Sequence, residues 1–170
     1  ADLGIAFDGD ADRVIFSDEK GNVIDGDLII GFLANQMLKQ NELYGKPVVG
    51  TLMSNIGLEN YLKEKNISFY RTNIGDRYIL SKMIETESRL GGEPSGHILL
   101  TDFAKTGDGL LTALKILFLL KKSGLKAISI AKEFNSKFNR TIGGAKGCSG
   151  IGCCYECSQK NRTQSNRNCY

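Results

Sequence analysis

Residues 3–16 read LGIAFDGDADRVIF: an apolar run, three carboxylates at alternate positions, an arginine, and a second apolar run. Short apolar runs flanking a charged stretch predict strand, loop, strand. Asp8, Asp10 and Asp12 crowd three negative charges into one tight loop. Their mutual repulsion is relieved by water or by a hard cation, most simply Mg²⁺. Gly9 and Ala11 between them are small, so the backbone can wrap closely and turn all three carboxylates inward.

Three other readings fit part of this stretch. A calcium-binding EF-hand also alternates its acids and would use Glu19 as its last ligand, but its glycine position holds Arg13 and the flanks are not helical. A phosphatase with an aspartyl nucleophile would use Asp8 as nucleophile and Asp10 as acid, and expects a hydroxyl or small apolar residue where Asp12 stands. A solvated acidic hairpin needs no ligand, although Arg13 completing the motif is unusual for one.

A second chemical element lies at residues 92–97, GEPSGH. Pro94 biases Glu93 toward extended backbone, and Gly92 and Gly96 let the loop fold so that Glu93, Ser95 and His97 face one way. A carboxylate, a hydroxyl and an imidazole suit sugar hydroxyls. The plain alternative is a proline-containing surface turn with a solvent-exposed histidine.

Together these stretches resemble the α-D-phosphohexomutases: DGDADR is similar to their metal-binding loop and GEPSGH to their sugar-binding loop. GTLMSN at residues 50–55, GDRY at 75–78 and TGDGLLTAL at 106–114 resemble the phosphoglucosamine mutase branch in particular. The likeness runs over residues 1–138. It implies an α/β fold, a mixed-sheet three-layer domain with a partial preceding domain. Residues 1–24 would be the end of domain 2 with the metal loop, 25–138 domain 3 with the sugar loop, and 139–170 an aberrant tail.

The activity implied by the resemblance is reversible phosphoryl transfer on a hexosamine phosphate, from glucosamine 6-phosphate to glucosamine 1-phosphate through a 1,6-bisphosphate, feeding amino-sugar nucleotide and cell-wall synthesis. An enzyme phosphoserine donates the phosphoryl group. Mg²⁺ held by Asp8, Asp10 and Asp12 would act as a Lewis acid, with Arg13 adding donors to the phosphoryl oxygens. Glu93 and Ser95 would contact sugar hydroxyls, and His97 would contact the substrate or transfer a proton. The phosphoserine loop belongs to domain 1 and the substrate-phosphate loop to domain 4, and neither motif is found here. The chain therefore reads as a fragment, beginning abruptly at Ala1, that is inactive alone. A non-catalytic binder of divalent ions or sugar phosphates, or a mutase acting on glucose or mannose phosphates, are the alternatives.

Composition bounds this picture. The chain has 170 residues and a formal net charge of +3. Basic and acidic residues nearly balance over 1–138, whereas 139–170 carries Glu156 as its one acid and all five cysteines. A basic excess confined to a tail argues against nucleic acid as a partner. No run of about eighteen uncharged apolar residues is present, so no membrane span is expected. A cysteine-free body fits a cytoplasmic setting.

The remaining elements follow from spacing and turn chemistry. Residues 18–21 form a turn, Asp25 and Asp27 offer caps for a helix over 28–39, and 47–53 reads as a buried strand. Ser54 or Asn55 caps a helix to about residue 65, 67–71 is a strand, and Asp76 starts a helix to about 87, as its cap or as an ion-pair partner of Arg77. Leu90 opens a strand interrupted by Gly91 and Gly92, and 98–100 is strand again. Residues 106–109 are a helix entry, with or without a ligand, to a helix reaching about 122 that is apolar on nearly every side and expected to be buried, within this domain or against another. A last amphipathic helix spans 127–138, with Ile128, Ala131 and Phe134 or Asn135 on one side. Alternation of this kind gives a layered α/β domain. The tail, rich in Gly, Asn, Ser and Cys, is too polar to bury much surface and is expected to be disordered. Its cysteines lack paired zinc spacing, its Asn139 and Asn161 sequons would go unused in the cytoplasm, and a frame shift or a junction with unrelated sequence explains it.

Overall fold

The computed structural model describes residues 1–43 and 45–132. Strands β1 (Gly4–Phe7), β2 (Val14–Ser17) and β3 (Val23–Ile24) form an antiparallel sheet in that order. The turn between β2 and β3 is built by Asp18, whose Oδ1 accepts the N–H groups of Lys20 at 2.8 Å and Asn22 at 2.9 Å. A short side chain of this kind substitutes for a backbone turn and sets the return of the chain.

Helix α1 (Gly26–Lys39) follows at once, capped by Asp25, whose side chain accepts from Leu28 N–H. Its dense apolar sequence is explained by burial on all sides: Leu28, Ile29, Ile30, Phe32, Leu33 and Met37 join one core with Val14, Phe16 and Ile24 of the first sheet and Val48 and Leu90 of the second. Each such side chain contributes about 1.5–3 kcal/mol on full burial. α1 is therefore the element that fixes the two sheets to each other.

The second sheet runs β5-β4-β6-β7, from β4 (Val48–Thr51), β5 (Phe69–Thr72), β6 (Leu90–Gly92) and β7 (Ile98–Leu100). β4 is parallel to β5 and β6, and β7 returns antiparallel to β6. Helices α2 (Ile56–Glu64) and α3 (Asp76–Thr86) make the crossovers. Side chains alternate across the sheet as the strand period requires. Val48, Ile98 and Leu100 enter the core with α1, α2 and α4 (Gly109–Ser123), whereas Val49 and Leu99 enter a second cluster with Ile79 and Met83 of α3. The result is the three-layer, mixed-sheet arrangement expected from the alternation of elements.

Local expectations are corrected in five places. Gly91 and Gly92 do not interrupt the strand but form β6, because a Cβ on Gly91 would lie 2.6 Å from Met83 Sδ and one on Gly92 2.6 Å from the His97 carbonyl oxygen. β5 begins at Phe69, later than the apolar pattern indicated. Asp76 does not cap α3: Gly75 is the cap residue, without a side-chain hydrogen bond, and Arg77 lies over the Tyr78 ring at 4.5 Å. α4 buries one face, through Thr112, Ala113, Ile116, Leu119 and Leu120, while Leu110, Leu114, Leu117 and Phe118 are exposed. In the last helix, helical from 128, Ala127, Ile130 and Ala131 are buried and Ile128 is only half-buried; Phe134, Asn135 and the tail lie outside the described residues.

Candidate active site

The metal-type loop spans the turn between β1 and β2, whose register closes with Phe7 opposite Val14. Ala11 N–H donates to the Asp8 carbonyl at 3.3 Å, and Ala11 itself has a φ of 58°. The left-handed region costs an L-residue about 1–2 kcal/mol, so the loop is held rather than relaxed. One holding contact is the Gly109 N–H, which donates to the Ala11 carbonyl at 2.9 Å. In this shape Asp8, Asp10 and Asp12 each bring one oxygen within 4.8 Å of the others.

The charges are partly compensated by protein. Arg13 N–H donates to Asp8 Oδ1 at 3.1 Å, and Arg13 Nε stands 3.9 Å from Asp8 Oδ2 and 3.8 Å from Asp12 Oδ1. Arg13 is exposed, and long contacts of that kind add little stability. Desolvation opposes ionisation of Asp8, but the Arg13 N–H and further hydrogen bonds outweigh it and hold its pKa below the usual value. Asp12 is pushed the other way, by desolvation first and by its hydrogen bond with Asp8, against the attraction of His97. A site with one carboxylate favouring and one resisting ionisation is short of positive charge. Three hard oxygen donors in reach of one point fit a divalent cation such as Mg²⁺.

The sugar-type loop is the hairpin between β6 and β7. Glu93 N–H donates to the His97 carbonyl at 2.9 Å, and Gly96, at φ 92°, donates its N–H to the Glu93 carbonyl at 3.1 Å. Glycine is required at Gly96 twice over, since a Cβ there would also strike the Val14 carbonyl oxygen. Val14 N–H in turn donates to the Gly96 carbonyl at 3.1 Å, and Arg13 and His97 form a β-bridge. The two loops are thus joined edge to edge by backbone.

α1 supports this junction from below. Gly26 N–H donates to the Pro94 carbonyl at 3.0 Å, and the Glu93 carbonyl oxygen rests where a Gly26 Cβ would stand. The next residue, Asp27, is 3% exposed and its Oδ2 accepts Asn55 N–H at 2.7 Å, which ties α1 to the cap of α2. Burial, only partly offset by the Asn55 N–H and reinforced by the Asp25 charge, raises the Asp27 pKa to about 6. The 50–55 stretch is a turn at the end of β4, where Arg71 Nη1 donates to the carbonyls of Thr51 at 3.1 Å and Ser54 at 2.7 Å.

Of the sugar-loop trio, Glu93 and Ser95 are together and His97 is engaged elsewhere. Ser95 Oγ donates to Glu93 Oε2 at 3.1 Å, and Glu93 Oε1 accepts Gly75 N–H at 3.0 Å, bringing the 73–77 turn alongside. His97 is buried, at 5% exposure, with Nδ1 3.2 Å from Asp12 Oδ2. This excludes the solvent-exposed surface-turn histidine. Sequence reasoning missed Gly26, Gly107 and Gly109, whose missing side chains make room for the loops; the close spacing around Asp108 was a signal for Gly107 and Gly109 only.

Comparison with known proteins gives the family and the fold. The family model described as Phosphoglucomutase/phosphomannomutase, alpha/beta/alpha domain III, matches residues 25–138. Phosphoglucosamine mutase of Thermotoga maritima is 53% identical over 131 residues, 77% of this chain and 30% of that protein. The Fusobacterium nucleatum protein of the same name is 55% identical over 124 residues, 73% of this chain and 27% of its own length. Among solved structures, a phosphoglucomutase/phosphomannomutase family protein from Burkholderia thailandensis superposes with a TM-score of 0.71 at 27% identity, covering 78% of this chain and 29% of that one. Parafusin, a phosphoglucomutase from Paramecium, shares the fold with a TM-score of 0.67 at 20% identity over 81% of this chain and 25% of its own. The chain spans about 30% of the length of the curated relatives it matches. By this match over most of its length, the chain belongs to the phosphoglucomutase/phosphomannomutase family, the α-D-phosphohexomutases.

Proposed function

We propose that this chain supplies the cation loop and the sugar loop of an enzyme that interconverts glucosamine 6-phosphate and glucosamine 1-phosphate. The observation that carries the proposal is the backbone junction of the two loops, Val14 N–H to the Gly96 carbonyl at 3.1 Å, in a chain about half identical to phosphoglucosamine mutases. A phosphoryl group and a sugar hydroxyl must meet within one small volume for transfer between them. Two loops fixed edge to edge provide that meeting point.

Asp8, Asp10 and Asp12 hold the divalent cation, Mg²⁺ by chemistry of the donors. When bound, the cation supplies Lewis-acid stabilisation of charge on the transferring phosphoryl group. Arg13, exposed beside Asp8 and Asp12, offers guanidinium donors to the same phosphoryl oxygens. Glu93 and Ser95, already hydrogen-bonded to each other, present a carboxylate and a hydroxyl to sugar hydroxyls. His97, buried at the end of the same loop beside Asp12, contacts the substrate or transfers a proton. The phosphoserine and the groups that grip the second phosphate come from sequence beyond this chain, and the domain boundary falls between residues 24 and 25. Among the described residues no helix is long and apolar enough to cross a membrane, and a cytoplasmic setting suits a sugar-phosphate substrate.

The test is a segment exchange. Residues 1–132 replace their counterpart in the Thermotoga maritima protein, and turnover is measured on glucosamine, glucose and mannose 6-phosphates with Mg²⁺ and a trace of the matching bisphosphate. Preference for glucosamine 6-phosphate supports the proposal. Preference for glucose or mannose phosphate moves the specificity, and no turnover on any of them removes the function.

A further inference from the structure

Asp27 is a buried acid that the phosphoryl chemistry leaves idle. It is 3% exposed, its Oδ2 accepts Asn55 N–H at 2.7 Å, and its Oδ1 is buried without a hydrogen-bond partner among the described residues. An apolar side chain of similar size in such a place usually costs a fold no more than a buried charge does. The contribution of Asp27 therefore lies in what it holds.

Asp27 holds the turn at residues 51–55, through the N–H of its last residue. The neighbouring Gly26 holds the sugar loop, its N–H on the Pro94 carbonyl at 3.0 Å and the Glu93 carbonyl oxygen where its Cβ would stand. Two consecutive residues of α1 thus grip two loops.

The sheet topology says what lies between those loops. β4 sits between β5 and β6, and its connection through α2 packs on the opposite face of the sheet from α3, which follows β5. Open α/β sheets bind ligands in the crevice outside the carboxyl ends of strands that part in this way. The Glu93 carboxylate reaches from the end of β6 to Gly75 N–H beyond the end of β5, and so crosses the end of β4, where the 51–55 turn stands. At the tip of that turn Leu52 and Met53 are 63% and 66% exposed. They give the crevice an apolar surface beside the Glu93 carboxylate and the Ser95 hydroxyl, which suits a sugar ring with both C–H and O–H groups to cover.

We propose that the 51–55 turn is a second wall of the sugar site, and that Asp27 is the positioning residue that holds this wall against the sugar loop. The proposal rests on the reading of Glu93 and Ser95 as sugar contacts. A hydrogen bond to a charged acceptor is worth roughly 10–100-fold, enough to keep a short exposed turn in one place.

The test follows the backbone amide resonances of the full 170-residue chain during titration with glucosamine 6-phosphate, with circular dichroism as the fold control. In the native chain the amides of 51–55 and of 93–96 move together along one binding curve. Asp27→Leu fills the space without offering an acceptor. It weakens binding about tenfold and leaves the 51–55 amides unmoved while those of 93–96 still move. Asp27→Asn keeps an oxygen for Asn55 N–H and stays within about threefold of native. Asn55→Pro removes the N–H itself, at a backbone φ of −66° that suits proline. It binds about tenfold more weakly than Asn55→Ala, which loses the same helix cap but keeps the N–H.

Native affinity in Asp27→Leu, an equal loss in Asp27→Asn, or equal affinity in the two Asn55 variants overturns the positioning role. Movement of 93–96 without 51–55 in the native chain overturns the second wall while the sugar loop stands. No movement in either stretch overturns the sugar loop as assigned and this inference with it. Should Asp27→Leu fail to fold, the Asn55 pair decides alone.

Discussion

Glu93 fastens two loops with one carboxylate: its Oε1 accepts the Gly75 N–H at 3.0 Å while its Oε2 accepts the Ser95 hydroxyl at 3.1 Å. Gly75 has a φ of 122°, a conformation that only glycine adopts easily, and the Glu93 carboxylate holds the 73–77 turn in that shape. Glu93→Ala releases that turn and removes a charged acceptor. In the segment-exchanged enzyme it is expected to cost up to about 3 kcal/mol of substrate binding or turnover, and Ser95→Ala about 0.5–1.5 kcal/mol. Native kinetics for both variants would take this loop out of the site.

Asp27 makes the fold sensitive to pH. Its pKa in the fold is raised to about 6, chiefly by burial, above the ordinary 3.8. The folded state then binds the proton more readily than the unfolded state, so the penalty for the charged form is fully present above pH 6. It is relieved as pH falls from there toward 4. The gain is on the order of 2–3 kcal/mol for this group, opposed by Asp18 and Glu87, whose hydrogen bonds lower their pKa values. Asp27→Asn keeps an oxygen for Asn55 N–H and removes the titration. The difference in melting temperature between variant and native chain should favour the variant more at pH 7.5 than at pH 4.5. A pH-independent difference would contradict the burial argument.

At Gly26 the usual effect of alanine is reversed. Replacing glycine in a helix with alanine ordinarily stabilises by about 0.5–1 kcal/mol. Here the new Cβ would overlap the Glu93 carbonyl oxygen and lie 2.8 Å from Gly96 N. Gly26→Ala is expected to destabilise the chain by about 1–3 kcal/mol in denaturant unfolding, as overpacking does. Stabilisation by this substitution would mean that α1 does not buttress the sugar loop.

Local chemistry made much of this legible in advance. The alternate acids of Asp8, Asp10 and Asp12 between apolar runs gave the hairpin, and Asp25 and Asn55 act as caps through bonds to nearby residues, which sequence displays directly. Parts of the site that depend on distant chain were not visible. Nothing around Gly26 announces that the Glu93 carbonyl will rest on it, and nothing beside His97 reveals Gly107 beneath its ring. Helix α4 misled for another reason: with leucine on every side, spacing could not separate the buried Ile116 face from the exposed Leu114 face. Gly91 and Gly92, read as a break, are strand residues because the partners that need their space, Met83 and the His97 carbonyl, are contributed by other elements.

The most direct test of the central claim is the rate of conversion of glucosamine 6-phosphate to its 1-phosphate, followed by phosphorus resonance with Mg²⁺ and a trace of the 1,6-bisphosphate. Three proteins are compared: the 170-residue chain alone, the segment-exchanged enzyme, and that enzyme with Asp10→Asn. Phosphoryl transfer is almost wholly positioning and charge stabilisation. The chain alone should therefore give no product, the exchanged enzyme should turn over, and Asp10→Asn should abolish turnover. Near-native turnover with Asp10→Asn, or product from the chain alone, would contradict the assignment of the cation loop and of the missing nucleophile.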